Sequence, residues 1–379
     1  MSCHDRSVLT VRRPIPLYLV SFVVTGVALT LIGPSLDELR DRTGASISGI
    51  GSLFIALQLG FVAGAIAGGR LLDRFNGHRV YALGFGIVAV SMASIPLLNS
   101  VLSLLIAMAL IGAATAMSDV AANTLLMWHL GADVGRTMNV LHLCFGIGAL
   151  ATPLIVSFGV NVAALSGAAG ALLMAVWALG VPAPTAPSER RAEQSTATRL
   201  ILFSAAAFFV LYVGVEIGFA GWIHTYSGEI GFSSSHQTWV TSTFWISFTV
   251  GRLVSAVVTG RFRPKVIIVA AMVLAIVAAA VLVVANGSPS GVWIGTAAIG
   301  LATAPQFPVM MAYLERRVKL SGSDTSWFMT AAGVGGFAFP YVIGQFLDSI
   351  GTVMFPWVVL VLACATLGMF ARVNSVLGG

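Results

Sequence analysis

Two acidic residues, Asp119 and Glu216, lie deep inside long apolar stretches of this 379-residue chain, while the other charged residues gather at the ends of such stretches. A carboxylate in a hydrocarbon environment costs several kcal/mol unless it lines a hydrated cavity or has a partner. Acidic residues inside a membrane therefore mark ion and substrate pathways. Their placement predicts that this chain moves something across a membrane.

The surroundings of Asp119 offer two kinds of ion chemistry. Asn123 follows Asp119 by four residues, so both side chains share one helix face. A carboxylate and an amide oxygen could bind sodium, or Asp119 could carry a proton. His142, near the start of the next span, is a candidate proton relay. Interhelical hydrogen bonds are the alternative for all three residues.

Glu216 lies in the middle of the seventh apolar span, and Ala220 and His224 continue its helix face at fourfold spacing. Apolar surroundings favour the neutral form of a carboxyl group, so Glu216 could take up and release a proton during transport. The alternative is a buried acid that is hydrogen-bonded to a neighbouring Tyr, Trp or Thr. Arg252 is interpreted as a structural residue that reaches the cytoplasmic edge or a nearby acid.

Composition places the chain among polytopic α-helical membrane proteins. Hydrophobic residues make up 58% of it and charged residues 9%, against about 25% charged in soluble domains. The net charge of +6 is scattered over short loops, which argues against a nucleic-acid partner. The sequence has no GK[ST] phosphate loop and no HExxH, so ATP-driven transport and an intramembrane enzyme have little support. Its three cysteines are too dispersed for a disulfide framework or a metal site.

Twelve spans of about 20 residues are predicted. They divide into an N-terminal six-helix bundle (1–181), a cytoplasmic linker (182–198) and a C-terminal six-helix bundle (199–379). With the N-terminus in the cytoplasm, all of the 20 Lys and Arg residues except Arg40 and Arg42 fall on or near the cytoplasmic side, so both termini are predicted to be cytoplasmic. We interpret residues 1–13 as a tail before a retained first helix. The spans are 15–34, 47–68, 80–98, 101–127, 137–158, 162–181, 199–226, 236–260, 266–285, 291–313, 325–347 and 352–371.

Equivalent spans of the two halves share short sequences at an offset of 187 to 191 residues. Such repeats indicate two similar bundles, and small residues at fourfold spacing let helix backbones approach closely. The matched segments are 112–116 with 300–304, 146–153 with 333–340, and 60–70 with 251–261.

The loop after the second span, 69–79, resembles the signature G-x-L-x-D-R-x-G-R-K of the major facilitator superfamily, with one residue inserted before Gly77 and His78 in place of a basic residue. The resemblance covers the whole chain and implies the all-α major facilitator fold. It also implies that Asp73, with Arg74 and Arg79 beside it, meets the start of the eleventh span when the cytoplasmic side is closed.

Pro305 and Pro308 are predicted to kink the tenth span, either as a gate hinge or as a static bend.

The segments 212–216 and 221–226 resemble the fucose-permease branch of this superfamily, in particular members similar to sodium-dependent glucose transporters. Segments 33–39 and 139–142 fit the same branch. The branch implies uptake of sugars driven by protons or sodium. The fucose-permease type has an acidic residue in the first span, where this chain offers only Ser21, Thr25 and Thr30.

A sugar site is predicted from aromatic and amide side chains. Aromatic faces stack on the apolar face of a pyranose, and amides bond its rim; anchoring at the membrane surface is the alternative for Trp and Tyr. The candidates are Trp222, His224, Tyr226, Trp245, Gln306 and Trp327.

We therefore predict a monomeric, alternating-access secondary transporter of a prokaryotic-type inner (plasma) membrane, which carries a sugar or similar small polar solute by symport with a proton or sodium ion. Lipid and the small-molecule substrate are its expected partners, and no cofactor besides the coupling ion is expected. Proton-driven efflux of an amphiphilic compound, and a non-transporting sensor or scaffold, are the alternatives.

Overall fold

A computed structural model describes residues 14–186, 196–285, 287–351 and 353–378. Most of the predicted linker, 182–198, lies outside these ranges. The described chain is helical, with short 3₁₀ turns at Ile95–Leu97 and Gly131–Asp133. Its helices are α1 (Ile15–Thr30), α2 (Ile32–Thr43), α3 (Ile47–Leu72), α4 (Gly77–Ser94), α5 (Val101–Leu130), α6 (Val134–Val156), α7 (Val160–Leu179), α8 (Thr196–Glu229), α9 (Ser234–Val258), α10 (Pro264–Ala285), α11 (Pro289–Thr303), α12 (Gln306–Val318), α13 (Gly322–Ile350) and α14 (Met354–Gly378).

Eleven segments of the described chain are long and apolar enough to cross a membrane. One of them, Val101–Val156, contains both α5 and α6, so the segments agree with twelve spans. The short helix α2 follows α1 and carries both Arg40 and Arg42. Arg42 pairs with Glu38 one turn earlier, at 3.0 Å, and donates to the Asn161 side chain. These contacts give Arg42 polar partners on the side of the membrane where the charge pattern predicts few basic residues.

The tenth span is interrupted where the prolines predict a bend. Helix α11 ends at Thr303 and α12 begins at Gln306. Pro305 has no backbone N–H to donate to the carbonyl four residues earlier, and its ring crowds that carbonyl. The expected kink is therefore present, while its use as a hinge stays a prediction.

The chain forms two compact units. Unit 1 comprises Met1–Gly131, Leu141–Arg190 and Lys319–Thr330; unit 2 comprises Ala132–Val140, Arg191–Val318 and Ala331–Gly379. Each unit thus holds most of one predicted half together with the start of one helix from the other half, α13 in unit 1 and α6 in unit 2. The division into six-helix bundles at 181 and 199 stays a prediction.

The sequence repeat corresponds to repeated helix contacts inside the units. In unit 1, a Cβ atom at Gly148 would overlap the backbone of Val23, and in unit 2 a Cβ atom at Gly335 would overlap the backbone of Val210. Both members of the second pair are 187 residues further along the chain. Glycine is needed at both crossings because any side chain would push the two helices apart.

A second pair of close contacts between a glycine and a helix backbone also recurs in the two units. Gly112 of α5 packs on the backbone of Leu57 in α3, and Gly300 of α11 packs on the backbone of Phe244 in α9. The matched glycines, which the sequence identified as a repeat, therefore hold equivalent helices together in the two units.

Candidate functional site

Asp119 and Asn123 form a hydrogen-bonded pair on α5 in unit 1. The Asn123 amide nitrogen Nδ2 donates to the Asp119 carboxylate Oδ1 at 3.0 Å and to the Asp119 backbone carbonyl at 2.9 Å. Asn123 is fully buried, and Asp119 is half-buried. One helical turn separates the two residues, as the sequence predicted from their spacing.

His142 joins this pair from α6. Its ring nitrogen Nε2 lies 3.3 Å from Oδ1 of Asn123, and its ring packs edge-on against Phe22 of α1 with centroids 5.5 Å apart. Because Nδ2 of Asn123 faces Asp119, the amide oxygen is the atom that meets His142, and His142 is the donor through Nε2–H. Three of the predicted ion-coupling residues thus form one hydrogen-bonded chain.

Ser21, a polar residue of the first span, lies near the hydrogen-bonded residues Asp119, Asn123 and His142. The Ser21 hydroxyl on α1 is hydrogen-bonded to the Tyr81 hydroxyl on α4, and Tyr81 is close enough to interact electrostatically with Asp119. Both Ser21 and Tyr81 are fully buried. Helices α1, α4, α5 and α6 therefore all contribute to the polar group around Asp119.

Glu216 has its own partners in unit 2. The hydroxyl of Tyr212, one turn earlier on α8, donates to Oε2 of Glu216, and the positive charge of Arg252 on α9 acts on both groups. No ion pair within 4.0 Å joins Arg252 to Glu216 in the described coordinates. The Tyr212 bond is one of the contacts that the sequence left open as an alternative for Glu216.

Arg252 lies in a different place from the one the charge pattern assigned to it. The side chain is 6% exposed and its guanidinium carbon lies 4.8 Å from the centre of the Phe248 ring. The sequence counted Arg252 among residues at a cytoplasmic span end; in the structure it is buried beside the acid, which was the second interpretation. The signal that could have marked it as a site residue is its position well before the end of the 25-residue helix α9.

Two of the predicted substrate-binding residues make packing contacts within unit 2. Nε1 of Trp222 donates to the backbone carbonyl of Pro340 in α13 at 2.7 Å. Tyr226 is buried and packs on Phe355, with ring centroids 5.2 Å apart. Their present contacts are between helices, and their role in binding stays a prediction.

Three other predicted substrate-binding residues are exposed in the structure. Trp245 of α9 is 39% exposed and packs on Phe248, and Trp327 of α13 is 64% exposed. His224 is also exposed. Their indole and imidazole rings could therefore reach a solute or lipid.

Pro305 lies in the break between α11 and α12, Gln306 begins α12, and Pro308 lies in the first turn of α12; all three are buried. Nε2 of Gln306 donates to the Ala302 carbonyl at 3.1 Å, while its Oε1 has no partner among the described residues. A buried acceptor without a partner is costly, so Oε1 is a candidate ligand contact.

Asp73 meets the start of α13, as the resemblance implies. Its carboxylate oxygens accept from the backbone N–H groups of Gly322, at 2.8 Å, and Ser323, at 3.0 Å, and it also bonds the Ser323 hydroxyl. A carboxylate at a helix N-terminus satisfies free N–H groups and interacts favourably with the helix dipole. Arg74 and Arg79 are exposed beside it.

His78 explains the departure from the superfamily signature. It is 2% exposed, with Nδ1 at 2.7 Å from the Val181 carbonyl and Nε2 at 2.7 Å from the Tyr18 hydroxyl. A carbonyl only accepts, so Nδ1 carries the hydrogen and Nε2 accepts from Tyr18. A ring with one donor and one acceptor fits here, where a Lys or Arg side chain would lack an acceptor role.

Among the described residues, no group of three or more His, Cys, Asp or Glu side chains is arranged to hold a metal ion.

The family model of the Major Facilitator Superfamily matches residues 18–340 and 204–377. The mouse sodium-dependent glucose transporter 1A is 25% identical over 375 residues, which cover 86% of this chain and 87% of that protein.

Two solved structures are similar throughout. A single-residue variant of the Escherichia coli fucose:proton symporter FucP has a TM-score of 0.77 at 17% identity. The alignment covers 97% of this chain and 99% of the FucP chain. The proton:xylose symporter XylE, bound to 6-bromo-6-deoxy-D-glucose, has a TM-score of 0.75 at 14% identity and covers 95% of each chain. At these identities the two structures establish a common fold.

Proposed function

Because this chain belongs to the Major Facilitator Superfamily, we propose that it is a secondary active transporter that imports a sugar or similar small polar solute together with a proton, by alternating access. The related proteins are named for glucose, fucose and xylose transport, which supports a sugar as the solute. They do not favour drug efflux or a sensor role, nor an enzyme.

The orientation of the Asn123 amide is the observation that supports a proton as the coupling ion. Sodium is bound by oxygen atoms, as other hard cations are. Here the amide nitrogen faces the Asp119 carboxylate, and the amide oxygen faces His142. In this arrangement the Asn123 amide oxygen is therefore not directed at a cation that the Asp119 carboxylate could bind.

A proton on Asp119 is compatible with the same three side chains after the Asn123 amide turns over and the His142 hydrogen moves from Nε2 to Nδ1. The protonated carboxyl donates to Oδ1 of Asn123 once the amide turns over, and Nδ2 then donates to Nε2 of His142 in the neutral tautomer whose hydrogen lies on Nδ1. Asp119, Asn123 and His142 thus exchange donor and acceptor roles together. The turned amide gives up its bond from Nδ2 to the Asp119 backbone carbonyl but keeps a bond to the Asp119 carboxyl group and one to His142, so the two protonation states of Asp119 both stay connected to His142.

Sodium is the second candidate, because the mouse relative is named as sodium-dependent. It requires oxygen ligands from backbone or other side chains near Asp119 and an Asn123 amide turned away from its present orientation.

The setting of this transport is proposed from the charge pattern. Basic residues favour cytoplasmic termini, and we expect a monomer in a prokaryotic-type inner (plasma) membrane, with a small-molecule substrate.

Uptake into proteoliposomes tests this function. Radiolabelled L-fucose, D-glucose and D-xylose are offered under an inward proton gradient without sodium, or an inward sodium gradient at equal pH. With one proton per sugar, a gradient of about one pH unit supports about tenfold accumulation. We expect accumulation with the proton gradient alone, and its loss in Asp119→Asn with exchange of sugar across the membrane retained.

The matched control is Asp133→Asn, at an exposed acid outside the cluster. It should accumulate sugar as the unmodified protein does. Accumulation that requires sodium, or undiminished accumulation by Asp119→Asn, would show that the proton assignment is wrong.

A further inference from the structure

We infer that Arg252 binds two neighbouring oxygen atoms of the transported sugar, at a site in unit 2 beside Glu216. This inference rests on the proposed function and adds to it a residue that contacts the solute.

The first observation is that the Arg252 guanidinium has spare donors. Its Nε and one terminal nitrogen are buried and have no hydrogen-bond partner among the described residues. The side chain is 6% exposed, so water is largely excluded. Leaving buried charged donors unsatisfied is strongly unfavourable, which indicates that an acceptor completes this site when the protein works.

Glu216 does not use these donors. Its Oε2 accepts from Tyr212, and Arg252 acts on both residues without an ion pair to Glu216 within 4.0 Å in the described coordinates. The charge of Arg252 is thus balanced nearby when Glu216 is ionised, while its Nε and one terminal N–H group stay open. A neutral solute suits such a site better than an anion, because the cluster then needs no further negative charge.

The second observation is an aromatic row that leads to Arg252. Trp245, Phe248 and Arg252 lie on one face of α9, at spacings of three and four residues. The ring centroids of Trp245 and Phe248 are 5.8 Å apart, and the guanidinium lies over Phe248. Trp245 is 39% exposed, so the row has an open end. It spans two helical turns, about 10 Å along the axis.

The chemistry of this row matches a sugar. Aromatic rings present an apolar surface for the C–H face of a pyranose, and the planar fork of arginine matches two oxygens on adjacent carbons. The ligand class is therefore a neutral sugar with vicinal hydroxyl groups, one of which also lies near Glu216 and Tyr212.

Counterflow of labelled sugar, which needs no ion gradient, tests the inference separately from ion coupling. The probe is whichever of L-fucose, D-glucose or D-xylose the wild-type protein exchanges, together with its monodeoxy analogues. We expect Arg252→Lys to raise the half-saturating concentration about 10- to 100-fold, as for loss of a charge-assisted hydrogen bond. We also expect at least one analogue that is weaker than the parent sugar in wild type to match it in Arg252→Lys.

The matched control is Arg261→Lys, an exposed arginine beyond the end of α9, which should leave the half-saturating concentration unchanged. A merely structural Arg252 would change expression or melting temperature but would leave every analogue equally penalised. That result overturns the inference.

A second measurement keeps Arg252 intact in case the lysine variant does not fold. In a background with Cys3, Cys144 and Cys364 replaced by serine, Phe248→Cys is alkylated with and without the sugar. Protection by the sugar supports the site, and an unchanged alkylation rate overturns it. Absence of any wild-type counterflow would instead overturn the proposed function and the inference with it.

Discussion

Asn123 makes a hydrogen bond through each end of its amide group. It therefore connects Asp119 to His142, a contact that its spacing from Asp119 did not reveal. The sequence could predict that the two side chains share a face, because helical spacing is fixed. It could not predict which amide atom faces the carboxylate, since that depends on His142, which comes from another helix. The choice between a proton and sodium depends on that detail.

Substitution of Trp222 tests whether this residue packs between helices or binds the sugar. Its Nε1–H bonds the Pro340 carbonyl, so Trp222→Phe should lower the stability of the protein by about 1 kcal/mol. We expect the half-saturating sugar concentration to stay within about twofold of wild type, because the indole N–H is already occupied. Thermal melting and counterflow measure the two effects.

The control for this prediction is Trp239→Phe, at an exposed tryptophan of α9. It should change neither quantity. A large loss of sugar affinity in Trp222→Phe at unchanged stability would instead support Trp222 as a sugar-binding residue.

Helix α3 approaches α5 more closely than ordinary side chains allow. A Cβ atom at Gly64 would overlap the backbone of Ala113 in α5. Gly64→Ala should therefore destabilise the protein by about 1–3 kcal/mol, as overpacking does, even though alanine is the better helix former. The melting temperature of the purified protein is the measurement.

Gly86→Ala is the matched control, because a Cβ atom there meets no atom within 4 Å. It lies within α4 and should keep or raise the melting temperature. Equal effects of the two substitutions would show that the close approach of α3 and α5 does not limit stability.

Asp73, from the 69–79 loop that resembles the superfamily signature, caps the N-terminus of α13. The first N–H groups of the helix are satisfied by Asp73 and, at Asp324, by the hydroxyl of Ser321. The resemblance named Asp73, but Ser321 and Asp324, which form a capping box, could have been found from their spacing alone.

At the scale of the whole molecule, the repeat duplicates the scaffold and not the chemistry. Glycine contacts recur at an offset of 187 or 188 residues, but the position equivalent to Asp119 is Phe307 and the position equivalent to Glu216 is Leu29. The two units therefore share helix packing while each has its own polar cluster. Under the two proposals above, the ion is carried in unit 1 and the sugar is contacted in unit 2.

Hydropathy and charge were enough to predict the spans, because bilayer thickness and the distribution of basic residues constrain them strongly. The position of Arg252, six residues before the end of α9, indicated burial only weakly, because an arginine side chain is long enough to extend from there towards the membrane surface. Its acidic and aromatic neighbours are brought together by packing of α8 and α9.

The most direct measurement of the central claim is proton movement itself. Sugar is added outside weakly buffered, sodium-free proteoliposomes, and the external pH is followed. Protons that enter with the sugar should raise the external pH for the wild-type protein and not for Asp119→Asn. Sugar entry without any pH change in the wild type, or an undiminished pH rise with Asp119→Asn, would contradict the account.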